Sequence, residues 1–191
     1  MIDLIRQRFE QSVRVTAATG ERLAERIAQA VEVLVAALKG GGAVYLFGNG
    51  GSAADAQHIA AELVGRFLAE RRALNAHALT TDTSILTSIG NDYDLESVFV
   101  RQIAAAGRPG DVAVGLSTSG NSPNVVAALA KAREMSLKTI ALTGEGGGRC
   151  AEIADVLLDV PETLTPRVQE AHVVIYHVLC ELVEQAFADG P

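Results

Sequence analysis

A hydroxyl-rich segment, Ser117–Pro123, has the composition of a phosphate-binding loop. Four hydroxyl side chains lie within six residues, and Pro123 suits the first turn of a helix with Ser122 as its N-cap. The free N–H groups and the dipole of a helix N-terminus favour an anion, and the hydroxyls add donors that can surround a phosphate monoester. Taken alone, the segment is more typical of an ordinary capped turn, in which serine and glycine are common.

Two further segments are rich in glycine, Gly48–Ser52 and Thr143–Gly148, and each follows another apolar run. Their glycines let the backbone approach a ligand closely. Gly48–Ser52 lacks the lysine of a P-loop, but together with Ala53 it fits the looser G-x-G-x-x-A pattern of dinucleotide sites. That pattern also needs an acidic residue about 20 positions further on. Asp82 lies too far along the chain for this role, so the sequence disfavours dinucleotide binding.

His58 and Glu62 are candidates for acid–base chemistry or metal binding. They are four residues apart in a predicted helix, so their side chains share one face within about two turns of the Gly48–Ser52 segment. The pair is also compatible with a solvated surface, and as half of a metal site it would need two more ligands. Spacing alone leaves these interpretations open.

Other polar candidates lie in the last predicted helix and between two earlier ones. Gln169 and His172 are three residues apart, whereas His177 is rotated from Gln169 by about 80° at 3.6 residues per turn. These side chains can converge only on a ligand that lies across the helix, and His172 alone is typical of a packed or surface histidine. Asn91-Asp92 lies between two predicted helices, and Asp92 either caps the following helix or binds sugar hydroxyls.

Apolar runs of strand length alternate with helical patterns, which predicts a parallel sheet covered by helices on both faces. The five predicted strands are Ala43–Phe47, Ala76–Leu79, Val112–Leu116, Thr139–Leu142 and Val156–Val160. Three of them lead into the glycine- and hydroxyl-rich segments. Ligands of open parallel sheets bind beyond the carboxyl ends of the strands. We therefore expect the three segments to meet at one edge of the sheet and to share one ligand.

Helical periodicity fills the remaining sequence and also precedes the first strand. After that strand, the predicted helices run to about 67, over 84–89, over 96–105, to about 134 and over 166–187. Two amphipathic helices are predicted within 1–40, with a break at Thr19-Gly20, and they either cover the sheet or pack against another subunit. The predicted organisation is a single domain, 1–191, with a helical oligomerisation segment of about 1–40 and an α/β core over 43–191.

The composition limits the class of protein. The 191 residues suit one domain, and the formal net charge is -7, with lysine and arginine scattered along the chain. Nucleic acid or an anionic membrane would require a basic cluster, and no uncharged apolar run approaches the roughly 20 residues of a membrane span. The N-terminus becomes charged too early for a secretory signal. Cys150 and Cys180 lack the spacing of a metal site or a disulfide framework, which favours a reducing cytoplasm.

Several segments, in this order, resemble the sugar isomerase (SIS) family and, within it, the phosphoheptose isomerases. The segments are Gly48–Ser52, Asn91-Asp92, Ser117–Ser122 and Arg167–His172, and the likeness covers nearly the whole chain. The resemblance implies a three-layer αβα sandwich with a flavodoxin-like, five-stranded parallel sheet. It also implies a homotetramer with active sites at subunit interfaces, which would account for the additional N-terminal helices.

The resemblance also implies roles for individual residues. The expected substrate-binding residues are Asn49, Gly50, Gly51, Ser52, Asn91, Asp92, Ser117, Thr118, Ser119, Ser122 and Gln169, of which Ser117, Thr118, Ser119 and Ser122 would hold the phosphate. The residues that match the zinc ligands of the family are His58, Glu62, Gln169 and His177, which implies one zinc ion per subunit. At a subunit interface, these four side chains need not all come from one chain.

The implied reaction interconverts sedoheptulose 7-phosphate and D-glycero-D-manno-heptose 7-phosphate, a precursor of bacterial heptose-containing glycans. It is an aldose–ketose isomerisation through an enediol. Glu62 is the candidate base and His177 the candidate acid, each contributing a factor of about 10² to 10⁴. Because a zinc-bound carboxylate is a poorer base, the metal either polarises the carbonyl oxygen while another group is activated, or it stabilises the site and exchanges with substrate.

Two alternatives come from other functional classes. A non-catalytic SIS tetramer that binds the replication initiator DnaA would look similar along the chain but would not need the acid–base pair. The presence of both Glu62 and His177 therefore favours an enzyme. A phosphosugar-sensing regulatory domain usually accompanies a DNA-binding or second catalytic segment, for which these 191 residues leave no room.

Overall fold

The computed structural model describes residues 1–188, which form a five-stranded parallel sheet flanked by helices. The strand order β2-β1-β3-β4-β5 is flavodoxin-like, as the resemblance implies. The strands are β1 Val44–Gly48, β2 Ala76–Ala78, β3 Val112–Ser117, β4 Lys138–Thr143 and β5 Val156–Asp159. The helices are α1 Ile2–Lys39, α2 Gly51–Val64, α3 Thr83–Asp92, α4 Ser97–Ala106, α5 Pro123–Glu134 and α6 Thr165–Gln185, with a 3₁₀ turn at Gly148–Glu152. The predicted domain also includes 189–191, which lie outside the described residues.

The central strands form because their residues are apolar on both faces. Every residue of β1 and β3 is buried, as a sheet covered on both sides requires. Branched side chains such as Val44, Val112 and Ile140 pack well on a pleated surface. The five predicted strands are confirmed, and their ends differ from the prediction by one residue at most.

Helices cover both faces of the sheet and enclose two apolar clusters. One cluster joins α1, α2 and α6 to the sheet and includes Leu34 and Ile175. The other joins α3, α4 and α5 and includes Phe99 and Leu129. Alternate residues of β1 belong to different clusters, so the clusters lie on opposite faces. This arrangement confirms the predicted three-layer αβα sandwich.

The first element is one helix, α1, where two helices were predicted. It continues through Thr19-Gly20 over 38 residues. A single glycine costs a helix only about 1 kcal/mol, and the following turns bury an apolar stripe that includes Leu23 and Leu38. Thr19 is itself buried, and its hydroxyl donates to the Val15 carbonyl at 2.7 Å. The prediction of a break was wrong because burial along the helix outweighs the local effect of one glycine.

Two helix ends also differ from the prediction. Helix α2 ends at Val64 because the segment that follows donates three backbone N–H groups to the carboxylate of Glu184 in α6. Asn91 and Asp92 form the last residues of α3 and do not lie between two helices. The residue that accepts from the first turn of α4 is Asp94, whose Oδ1 binds the Ser97 N–H at 2.7 Å.

Two features bear on the predicted location of the protein. Within residues 1–188, none of the helices combines the length and the apolar character needed to cross a membrane. Both cysteines are buried. Burial raises the pKa of the Cys150 thiol to about 11 and that of the Cys180 thiol to about 12, which keeps both protonated. The cytoplasmic location stays a prediction.

Candidate functional site

The glycine- and hydroxyl-rich segments lie at one edge of the sheet, as predicted. They start at or directly after Gly48, Ser117 and Thr143, the last residues of β1, β3 and β4. These strand ends are in register, since Gly48 pairs with Leu116 and Ser117 pairs with Thr143. All five strands are parallel, so the loops leave from their carboxyl ends, where ligands of such sheets bind. We call this side the carboxyl edge and the opposite side the amino edge.

The loop after β3 presents hydroxyl groups in front of helix α5. Ser122 is the N-cap residue, as predicted, but its side chain does not accept a hydrogen bond from the helix. Its Oγ instead lies 2.9 Å from Ser117 Oγ. Ser119 Oγ accepts from the Asn121 N–H at 3.1 Å. The hydroxyls therefore stay near the helix N-terminus without being used to cap it, which suits an anionic ligand.

The loop after β4 fixes the shape of the loop after β3. The Gly144 N–H donates to the Thr118 carbonyl at 2.9 Å, and the Cys150 N–H donates to the Gly120 carbonyl at 3.0 Å. Gly120 has a φ of 65°, and a side chain there would overlap the carbonyl group of Gly147. Only glycine fits both the left-handed conformation and the close approach of the two loops.

The loop after β1 turns sharply into helix α2 and contacts α5. Gly50 precedes α2 with a φ of 56°, a conformation that glycine adopts without strain. Asn49 and Asn124 form two reciprocal side-chain hydrogen bonds, of 2.9 and 2.8 Å. Because Asn124 lies in the first turn of α5, this pair joins the loop after β1 to the predicted phosphate site. The two asparagines, Leu95 and Ser122 line a cavity of about 390 Å³.

The acid–base candidates meet between α2 and α6. His58 Nε2 lies 3.1 Å from Glu62 Oε1. The rings of His58 and His177 meet edge to face, with their centroids 5.1 Å apart. Helices α2 and α6 pack on the same face of the sheet, so side chains from two elements converge within one chain. We call His58, Glu62 and His177 the acid–base cluster.

Tyr176, which the sequence did not indicate, connects His58 to Asp55. Its hydroxyl lies 3.1 Å from His58 Nδ1 and donates to Asp55 Oδ1 at 3.4 Å. Burial, with a further contribution from the Asp55 charge, raises the pKa of Tyr176 to about 12, so the hydroxyl keeps its proton. Tyr176 therefore links Asp55 to His58, and His58 in turn contacts Glu62 through its other ring nitrogen.

His177 is enclosed by aromatic rings, whereas Gln169 lies about two turns nearer the start of α6. Phe67 stacks on His177 with ring centroids 5.5 Å apart and an interplanar angle of 25°, and Tyr176 meets it edge to face at 4.9 Å. Gln169 lies against the start of α2, where its Nε2 would be 2.7 Å from a Cβ on Gly51. Gln169 therefore contacts the loop after β1, and His177 belongs to the acid–base cluster.

Asn91 and Asp92 are exposed at the end of α3. Asn91 Nδ2 donates to Asp92 Oδ1 at 2.8 Å. Within the described residues, no hydrogen bond links either side chain to the loops at the carboxyl edge. Leu95, three residues further on, does line the cavity beside Asn49. Their expected contacts with sugar hydroxyls stay a prediction.

His172 belongs to the core and not to the site. Its side chain is fully buried, and its Nε2 donates to the Thr143 carbonyl at 3.1 Å. Burial lowers the pKa of His172 to about 4, although the hydrogen bond to Thr143 opposes this effect. The ring is therefore neutral near pH 7, and the interpretation of His172 as a packed histidine is confirmed.

The donor atoms of the acid–base cluster have the chemistry that zinc requires. Imidazole nitrogen and carboxylate oxygen are common zinc ligands, and His58 Nε2 and Glu62 Oε1 lie 3.1 Å apart. His177 adds a second imidazole. Within residues 1–188, however, no three His, Cys, Asp or Glu side chains form a complete metal-binding group. A zinc site built on this cluster therefore needs side-chain movement or a second subunit.

Comparison with known proteins assigns the chain to a family. Residues 8–144 match the SIS domain family. Over 185 residues, the chain is 54% identical to the phosphoheptose isomerase of Aquifex aeolicus, with 97% of each protein covered. The chain belongs to the phosphoheptose isomerase family. The membership expected from the sequence motifs is thereby confirmed.

Solved structures of this family have the same fold. A phosphoheptose isomerase from Neisseria gonorrhoeae is 45% identical and superimposes with a TM-score of 0.90. One from Francisella tularensis is 37% identical, with a TM-score of 0.93. In both comparisons 96% of this chain and 98% of the other chain are covered. The family fold therefore includes the long N-terminal helix as well as the α/β core.

Proposed function

We propose that the protein interconverts sedoheptulose 7-phosphate and D-glycero-D-manno-heptose 7-phosphate through an enediol. The observation that carries the proposal is the acid–base cluster in a chain 54% identical to a phosphoheptose isomerase over nearly its whole length. His58 lies seven residues after the start of α2, which is about 10 Å along the helix axis from the loop after β1. The comparisons favour this enzyme over the initiator-binding alternative.

In the ketose-to-aldose direction, Glu62 removes a proton from C1 while His177 donates a proton to the carbonyl oxygen on C2. The product of this step is the enediol. Glu62 then returns the proton to C2, and His177 takes the proton from the hydroxyl on C1, which becomes the aldehyde. C1 is oxidised and C2 is reduced, so no external redox partner is needed. Each of the two groups contributes a factor of about 10² to 10⁴.

The loops at the carboxyl edge would bind the rest of the substrate. The N–H groups at the start of α5 and the nearby hydroxyls would hold the phosphate because they offer donors and a favourable dipole. The residues proposed for this role are Ser117, Thr118, Ser119 and Ser122. The residues proposed for the sugar are Asn49, Gly50, Gly51, Ser52, Asn91, Asp92 and Gln169.

We also propose one zinc ion per subunit, held by His58, Glu62, Gln169 and His177. Because a zinc-bound Glu62 is a poorer base, the ion would stabilise the site and exchange with substrate. The hydrogen bond to Tyr176 would keep Nε2 of His58 available as a ligand. Metal analysis of the purified protein tests this set: about one zinc per chain is expected for the wild type and much less for His58→Ala. Equal zinc contents would contradict it.

Turnover of sedoheptulose 7-phosphate tests the isomerase function directly. We expect Glu62→Gln and His177→Ala to lower kcat by at least about 100-fold while the far-UV circular dichroism spectrum is unchanged. Glu134→Gln and His77→Ala change the same residue types at exposed positions outside the site and should keep the wild-type kcat. A wild type no faster than the two site variants would exclude the isomerase function.

We further propose that the protein forms a homotetramer. Residues 1–18 are all exposed or only partly buried, although they carry an apolar stripe. Its exposed members on α1 are Ile2, Ile5, Phe9 and Val13, and a second row on α6 consists of Val174, Val178 and Leu182. Apolar side chains in such rows are typical of subunit contacts, and a neighbouring subunit could complete the zinc site.

Light scattering after gel filtration measures the oligomeric state. We expect a tetramer for the wild type and smaller species for Phe9→Glu combined with Val13→Glu, because charges on the stripe would be buried at the interface. Arg14→Glu, an exposed polar position on the same helix, is the matched control and should remain tetrameric. A monomeric wild type would contradict the proposal.

A further inference from the structure

A buried carboxylate holds the segment between α2 and β2, residues 65–73. Glu184 is 2% exposed, and its oxygens accept from the N–H groups of Phe67, Leu68 and Ala69 at 2.7, 2.6 and 2.6 Å. Burial alone would raise the pKa of Glu184, but the three backbone hydrogen bonds and a nearby guanidinium outweigh it and lower the pKa. Glu184 therefore remains a carboxylate that binds three consecutive N–H groups.

Arg71 joins the same segment to the end of α2. Its side chain is fully buried, and its guanidinium donates to the carbonyl groups of Glu62, Gly65 and Arg72 at 2.6, 2.7 and 3.0 Å. Its Nε lies 3.7 Å from Glu184 Oε2. The last carbonyl groups of a helix have no partner within the helix. Arg71 supplies donors for those at the end of α2.

The contacts of Glu184 and those of Arg71 both reach residues of, or next to, the acid–base cluster. Phe67, whose N–H is bound by Glu184, stacks on the His177 ring. Glu62, whose carbonyl is bound by Arg71, is the proposed base. Glu184 lies about two turns beyond His177 on α6. The buried ion pair thus contacts the supports of both proposed catalytic groups without touching the reacting atoms.

We propose that Glu184 and Arg71 are positioning residues for the isomerisation. They hold the 65–73 segment so that Phe67 fixes the His177 ring and the end of α2 keeps Glu62 in place. The inference rests on the proposed isomerase function, because only a reaction makes the orientation of the ring matter. A buried ion pair contributes little net stability, whereas a displacement of about 1 Å in a reacting group can lower a rate about 100-fold.

Two substitutions test the positioning contacts without changing either proposed catalytic group. Glu184→Gln keeps the shape of the side chain but places an NH₂ group against backbone donors, so at least one of the hydrogen bonds is lost. Phe67→Leu removes the stacked ring and leaves the Glu184 carboxylate in place. Asp111→Asn is the matched control, because Asp111 is a buried carboxylate at the amino edge that accepts from the Ala43 and Arg108 N–H groups, both at 2.8 Å.

Steady-state kinetics distinguish a positioning role from a loss of stability. At a temperature where all variants are folded, we expect Glu184→Gln and Phe67→Leu to lower kcat about 10- to 100-fold. KM should stay within about twofold of the wild type, because the phosphate loop is unchanged. Asp111→Asn should lose stability but keep kcat. A wild-type kcat in Glu184→Gln, or an equal loss in Asp111→Asn, would overturn the inference.

Imidazole NMR gives a second measurement that does not need turnover. The chain has four histidines, so the His177 resonances can be assigned with His177→Ala. The ring current of Phe67 should shift the His177 ring protons in the wild type and in Asp111→Asn, but not in Glu184→Gln or Phe67→Leu. A retained shift in Glu184→Gln would show that the ring does not depend on the carboxylate. A wild type without turnover would instead exclude the proposed function, whatever the shifts.

Discussion

The two edges of the sheet use their polar groups differently. At the amino edge, carboxylates bind the backbone of the turns: Asp111 accepts from the N–H groups of Ala43 and Arg108, and Asp155 accepts from that of Thr139. At the carboxyl edge, the hydroxyls in front of α5 do not cap the helix. Polar groups that satisfy each other stabilise a turn, whereas donors left open at a helix N-terminus can bind an anion. The start of α5 therefore lacks a side-chain cap, whereas carboxylates bind the N–H groups of the turns at the amino edge.

Cavity size does not make the same distinction. A cavity of about 780 Å³ lies at the amino edge and is lined by residues that include Gly42, Asp111 and Lys138. It is larger than the cavity of about 390 Å³ beside Asn49 and Ser122. Yet the carboxylate of the larger cavity already binds two backbone N–H groups. The chemistry of the lining groups indicates function better than the volume they enclose.

The loops of the two edges should tolerate a methyl group differently. Gly120 and Gly110 have φ values of 65° and 93°, so alanine is strained at either position by about 1–2 kcal/mol. At Gly120 the new Cβ would also overlap the Gly147 carbonyl group, whereas at Gly110 it would meet nothing within 4 Å. We expect urea denaturation to show losses of about 3–5 kcal/mol for Gly120→Ala and about 1–2 kcal/mol for Gly110→Ala. Equal losses would contradict the close packing of the two loops.

The carboxyl edge should also lose stability in acid through His172. Its pKa is about 4 in the folded protein, because burial lowers it, and about 6.5 in the unfolded chain. The unfolded chain therefore takes up a proton first, and this contribution to stability is complete above about pH 6.5 and lost progressively as the pH falls towards 4. Between pH 7 and pH 5, the expected decrease in the free energy of unfolding is about 2 kcal/mol.

Urea denaturation of the wild type and of His172→Gln at both pH values measures this effect. Glutamine can still donate to the Thr143 carbonyl but does not titrate. The wild type should lose more stability than the variant over this interval. An equal loss in the two proteins would assign the acid sensitivity to other groups.

The smallest effect is expected within α1, in a segment that forms neither edge loop. A Cβ on Gly20 would meet nothing within 4 Å. Alanine loses less conformational entropy than glycine when a helix forms, so Gly20→Ala should raise the free energy of unfolding by about 0.5–1 kcal/mol and leave kcat unchanged. Thermal or urea denaturation measures the change. A destabilised Gly20→Ala would show that the helix needs the glycine at this point.

Local patterns were sufficient to predict the sheet. Its five strands are buried apolar runs that end at glycine- or hydroxyl-rich segments, and their parallel arrangement follows from the helices between them. The common edge of the three loops follows from the same arrangement. The break predicted at Thr19-Gly20 was wrong because α1 gains burial over turns that a local signal does not include.

The acid–base cluster was predictable only in part. His58 and Glu62 share a helix face because of their spacing, and that relation needs no tertiary structure. The position of His177 beside them depends on the packing of α2 against α6. Tyr176 and Phe67 were missed, because nothing in their local sequence indicates that their rings would enclose His177.

The sequence by itself determined the strands, the loops at the carboxyl edge and the family, and it indicated four candidates for acid, base or ligand chemistry. These depend on residue types and on spacings within a few residues. Only the tertiary structure decided that α1 is continuous, that His177 meets the His58–Glu62 pair, and that Glu184 reaches across to the segment after α2. Glu184 and Phe67 are 117 positions apart. Contacts of this kind depend on how whole helices pack on the sheet. The spacing of residues within a few positions of each other does not indicate that packing.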